Sequence, residues 1–106
     1  MEASKPRVAI TYCRECNWLL RAAWMAQEIL STFPKDVSEV ALIPSTGAAF
    51  SIEIDAEVVW ERTRDGGFPE VAELKRRVRD RLDPGRDLGH VDHLAARDAI
   101  TGGQEA

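Results

Sequence analysis

Apolar and polar positions alternate with period two in several short stretches of this chain and with helical period in two longer ones. Val8, Ile10 and Tyr12 share one face, with Ala9 and Thr11 on the other. Phe50, Ile52 and Ile54 alternate with Ser51, Glu53 and Asp55, and Val58 and Trp60 alternate with Glu57, Val59 and Glu61. The run over residues 37–43 is less regular, but Val40 and Leu42 can share an inward face. One polar face per strand implies a sheet covered on one side only. Asp55-Ala56-Glu57 separates two such runs, which predicts a tight hairpin and an antiparallel pair.

Helical spacing covers residues 14–31, where Leu19, Ala22, Ala23, Ala26, Ile29, Leu30 and Phe33 form a core-facing stripe and Phe33-Pro34 ends the element. A second helix is predicted to start near Pro69, carrying Val71, Leu74, Val78 and Leu82 inward until Asp83-Pro84-Gly85 stops it. The order is β-α-β-β-β-α. Its first three elements make a right-handed crossover with parallel strands. The expected fold class is α/β, a two-layer sandwich of a four-stranded mixed sheet with both helices on one face. Residues 6–83 are expected to form the domain, and residues 84–106 a C-terminal lead-out that is ordered through about residue 93 and then a flexible tail.

Composition narrows the function. A chain of 106 residues holds one domain. A net charge of −4 gives no bulk attraction to nucleic acid or to an anionic membrane surface. No apolar run approaches the ~18 residues of a membrane span. The N-terminal residues lack an apolar signal region, so the expected compartment is the cytoplasm. A structural disulfide is uncommon there, which gives the cysteines a redox or metal role.

Those cysteines are Cys13 and Cys16, in Tyr12-Cys13-Arg14-Glu15-Cys16 where the first strand gives way to the first helix. A dithiol of this spacing at a strand-to-helix corner is the form of a thioredoxin-like redox site. The first turn of a helix carries unpaired N–H groups and partial positive charge, which stabilise a thiolate. With Cys13 at the helix cap and Cys16 one turn in, a small tightening of the turn closes the bond. Arg14 adds to thiolate stabilisation and Glu15 opposes it.

The chain resembles the selenoprotein W-like redox family. The resemblance rests on Tyr12-Cys13-x-x-Cys16 after a strand, Phe33-Pro34 after the first helix, Ser45-Thr46-Gly47-Ala48-Ala49-Phe50-Ser51-Ile52 leading into a strand, and Asp65-Gly66-Gly67-Phe68 before the last helix. It spans residues 7–82 and implies a thioredoxin-like fold and thiol–disulfide redox activity linked to glutathione or protein thiols. In selenocysteine-containing members selenium occupies the position of Cys16, so this chain resembles an all-cysteine homologue. Thioredoxin logic makes the exposed first cysteine, Cys13, the attacking thiol, whereas the selenium position favours Cys16; the expected first attacker in an all-thiol protein is Cys13. Pro44 lies near the place of the thioredoxin-type proline, and its peptide isomer is not readable from sequence.

Other residues carry competing readings. Trp18 borders the redox site or the edge of the core, and Tyr12, Arg14 and Phe68 are further candidates for the site's border. Leu20 and Trp24 fall on the polar side of the first helix, where an exposed apolar pair marks a partner or weak homodimer surface unless a loop or the tail covers it. A zinc site would need His90 and His93 beside the cysteines, at a spacing shorter than usual. Lys75, Arg76, Arg77, Arg79 and Arg81, interspersed with acids, read as a solvated helix face. The expected function is a thiol–disulfide oxidoreductase cycling Cys13 and Cys16, with no bound cofactor or metal. Its expected partners are glutathione or protein thiols and disulfides. The alternative is a non-enzymatic redox-sensitive module that docks a protein partner.

Overall fold

The period-two runs become strands in the computed structural model, which describes residues 5–89. They are β1 (Arg7–Cys13), β2 (Glu39–Ser45), β3 (Phe50–Ile54) and β4 (Glu57–Glu61). The helices are α1 (Leu19–Thr32), a single turn α2 (Arg62–Asp65) and α3 (Val71–Leu82). The sheet order is β2-β1-β3-β4, with β1 parallel to β2 and the other neighbours antiparallel. This is the four-stranded mixed sheet the pattern implies.

Val8, Ile10, Ile52 and Ile54 point from the central strands into a core closed by Ala22, Met25 and Ile29 of α1 and Leu74 and Val78 of α3. Both long helices lie on this face, and Lys75 of α3 pairs with Glu28 of α1 at 2.9 Å. The core contains no buried polar or charged side chain among the described residues, so hydrophobic burial is its main stabilising term. The β3–β4 hairpin turns on Asp55 and Ala56, both at positive φ (50° and 73°), the geometry that matches strand twist in a two-residue loop. Pro44 sits on the edge strand β2, where a missing N–H is tolerated, and its peptide bond is trans.

Several local expectations are corrected. In β4 the inward residues are Val59 and Trp60, not Val58 and Trp60. Ile52 faces Trp60 and Glu53 faces Val58, so Val59 is the extra residue of a β-bulge, which puts two successive side chains inward. Helix α1 starts at Leu19, not at residue 14. Asn17 adopts a left-handed φ of 62° and its N–H donates to the Arg14 carbonyl at 3.2 Å, closing a turn that separates the cysteines from the helix. Asn tolerates this region better than most residues. The α1 stripe is rotated: Met25 is buried, while Leu19 and Leu30 are exposed. Pro69 lies just outside α3, whose N-cap is Glu70.

After α3, Arg86 pairs with Asp36 at 2.9 Å and Leu88 packs against the core. The tail beyond residue 89, with His90 and His93, lies outside the described residues. Among the described residues no helix is long and apolar enough to cross a membrane.

Candidate redox site at the end of β1

Cys13 is the last residue of β1, and the Arg14 N–H donates to the Ser45 carbonyl at the end of β2, 3.0 Å away. The Trp18 N–H reaches back to the Cys13 carbonyl at 3.4 Å. These bonds close the 14–17 turn and hold Cys16 over Cys13. The two form a disulfide with Cα atoms 5.3 Å apart, inside the usual range for such a bridge.

The placement differs from the expectation in two ways. Neither cysteine belongs to α1: its N-cap is Trp18, which supplies no side-chain cap, so the unpaired N–H groups of the first turn follow Cys16 instead of containing it. Nor is Cys13 the exposed member. It is 1% exposed, because it ends a central strand beneath the turn, whereas Cys16 is only half-buried.

Next to the turn stands an aromatic and cationic cluster. The Trp18 ring meets Phe68 edge-on with centroids 4.8 Å apart, and Phe68 meets Phe50 at 5.0 Å. The Arg21 guanidinium lies 4.0 Å from the Phe68 centroid, and that of Arg62 lies 5.5 Å from the Trp18 centroid. Both distances fall within cation–π range. Arg62 also donates through Nε to the Ala48 carbonyl at 3.1 Å, tying the β2–β3 loop to this cluster.

The segment that delivers Phe68 is fixed from below. Trp60 Nε1 donates to the Gly67 carbonyl at 2.8 Å. Gly66 caps α2 in the left-handed region and Gly67 follows at φ 127°, a backbone that a side chain would strain. The Glu61 N–H donates to Asp65 at 2.9 Å, and the Glu61 carboxylate accepts from the Arg64 N–H at 2.7 Å. The Glu61 N–H bond, reinforced by Arg64 and Arg77, holds the Asp65 carboxyl below its ordinary value. Burial pushes the Glu73 carboxyl up, but hydrogen bonds from Arg77 and Arg76 outweigh it and leave it lowered. Arg77 also donates to the Val59 carbonyl at 2.7 Å and lies over the Trp60 ring, which locks α3 to the bulge of β4.

The structure thus brings together Cys13, Cys16, Trp18 and Phe68 from the sequence-predicted set. Arg14 is exposed in the turn between the cysteines. Tyr12 is buried in the core, opposite Pro44 and Phe50 in register. Leu20 and Trp24 are exposed on α1, at 81% and 45%. Phe50, Arg21 and Arg62 join the site without having been marked by any spacing, since they come from three elements. A surface cavity of about 340 Å³ is lined by Val58, Val59, Arg64, Arg77, Asp80 and Arg81, with neither cysteine in its wall. No group of three metal-ligating side chains occurs among the described residues.

The Rdx family profile matches residues 7–80, which include the whole sheet and the cysteine turn. The chain belongs to the Rdx family. A solved protein from Bordetella parapertussis is 60% identical, with a TM-score of 0.73 over 74% of this chain and 99% of that one. A selenoprotein W-related protein from Vibrio cholerae is 50% identical, with a TM-score of 0.73 over 76% of this chain and 100% of that one. No curated protein matches the chain. The fold is thioredoxin-like, and family membership together with the Cys13–Cys16 disulfide points to a redox function.

Proposed function

We propose that the protein is a thiol–disulfide oxidoreductase in which Cys16 is the entry sulfur and Cys13 the resolving one. The observation that carries this reading is the asymmetry of the bridged pair: a partly exposed Cys16 above a sealed Cys13. The Cys16 thiolate attacks one sulfur of a substrate disulfide, forming a mixed disulfide and expelling one substrate thiolate. Cys13 then attacks the Cys16 sulfur, closing the internal disulfide and releasing the second thiol. Two electrons pass from the protein dithiol to the substrate. A thiol donor of the glutathione or thioredoxin type reverses the steps and restores the dithiol.

The test is turnover with hydroxyethyl disulfide and reduced glutathione. Catalysis is expected in the wild type and lost in Cys16→Ser. Cys13→Ser, which keeps the entry sulfur, is expected to accumulate a mixed disulfide visible by mass. Trapping through Cys13 in the Cys16→Ser variant would reverse the assignment, and turnover that ignores both cysteines would end the redox proposal. The exposure of Leu20 and Trp24 favours a second reading, a redox-sensitive docking module. It is distinguished by stoichiometric binding without turnover.

A further inference from the structure

Most basic side chains here are already neutralised. Every arginine among the described residues faces a carboxylate within ion-pair distance except Arg14, Arg21 and Arg62. Those three share one end of the molecule. Arg14 stands between the cysteines, Arg21 lies on Phe68, and Arg62 lies over Trp18. Glu15, in the same turn, forms no ion pair with any of them, and the Glu61 carboxylate is engaged as the α2 cap. Their positive charge is therefore unspent and sits beside the partly exposed Cys16, on a chain whose net charge is −4.

The patch continues along α1. Leu20 and Trp24 are one turn apart, and Arg21 and Trp24 are neighbours on the same surface, so the largest exposed apolar side chains border the cations. Three separated cations beside two large apolar groups exceed what a single small thiol can satisfy. A polypeptide segment supplies both features at once.

We propose that this face recognises an acidic protein segment: a cysteine of the partner, flanked by Asp or Glu and by an apolar residue, is presented to Cys16 by Arg14, Arg21 and Arg62, with Leu20 and Trp24 holding the apolar side chain. The inference rests on the redox reading above and names its substrate class. The cation–π contacts keep two of the guanidiniums in place before the partner arrives, which lowers the ordering cost of binding.

The experiment uses synthetic peptide disulfides of one length, each dimerised through a single cysteine flanked by Asp and Leu, by Gln and Leu, or by Lys and Leu. Each is mixed with the reduced protein at low salt. The net charge of the chain alone ranks the Lys peptide first. The local cluster ranks the Asp peptide first, by about tenfold over the Gln peptide, with the advantage shrinking as salt screens it. Arg21→Glu with Arg62→Glu is expected to invert the order, and Arg21→Lys with Arg62→Lys, which keeps the charge, to retain it. Asp and Gln peptides reacting within twofold of each other in the wild type overturn the inference while leaving the redox reading intact. If no peptide reacts while hydroxyethyl disulfide is turned over, the inference fails and the redox reading stands; if neither reacts, the redox reading fails, and docking is decided separately by titrating a cysteine-free Asp-Leu peptide against tryptophan emission. Binding weakened about tenfold by the double Glu variant supports the surface, and no binding to the wild type overturns it.

Discussion

The ring of Phe68 stands edge-on against that of Trp18, with centroids 4.8 Å apart. Phe68 belongs to the segment between α2 and α3, and Trp18 caps the helix that follows the cysteine turn. This contact is how the loop before α3 braces the cysteine turn. An aromatic pair of this geometry contributes about 0.5–1.5 kcal/mol beyond area burial, and Phe68 makes two of them. Phe68→Ala is expected to destabilise the protein by roughly 1–3 kcal/mol and to shift Trp18 emission to the red as water reaches its ring. Urea unfolding and fluorescence check both. An unchanged spectrum would show that Trp18 is positioned without Phe68.

Gly67 and Gly85 form a matched pair for a backbone test. A Cβ at either meets no atom within 4 Å, but only Gly67 has a φ, 127°, that disfavours a side chain. Gly67→Ala is expected to cost about 1–3 kcal/mol from strain alone. It should also weaken the Trp60 Nε1 bond to the Gly67 carbonyl and loosen Phe68. Gly85→Ala is expected to change stability by less than about 0.5 kcal/mol. Equal thermal shifts for the two variants would contradict this account.

Acid stability follows from Asp65 and Glu73. Both carboxyls titrate below their ordinary values of 3.8 and 4.5 in the folded protein. A group lowered by folding stabilises the native state fully above its unfolded value, and that contribution is lost as pH falls through the folded one. Stability is therefore expected to fall on acidification from about pH 5 towards pH 3. Glu73→Gln cannot titrate, so its stability difference between those pH values should be smaller than that of the wild type. Denaturant unfolding at the two pH values decides the matter, and an equal or larger difference in the variant would remove Glu73 from the explanation.

The sheet was legible because β3 alternates cleanly: Phe50, Ile52 and Ile54 are buried and Ser51 and Glu53 are not. Strand period and face coincide wherever both neighbours are regular. The reading failed at Val58 because a bulge adds one residue and reverses the alternation, and β4 alone carries no mark of it. Part of the α1 stripe was legible, namely Ala22, Ala26, Ile29 and Phe33, although Met25 joins it and Leu30 does not. The start of α1 was not legible, since the left-handed Asn17 lies within a run that otherwise reads as helix.

From the chain alone came the order of the strands and of the two long helices, though not the single turn α2, and the pairing of Cys13 with Cys16, because these depend on short-range spacing. Which sulfur meets solvent, which arginines stay unpaired, and which aromatic ring flanks the turn were decided only by tertiary packing. Each of these depends on side chains from β1, β3, α1, α2 and the loop before α3 meeting at one end of the sheet. No local periodicity encodes a meeting of that kind.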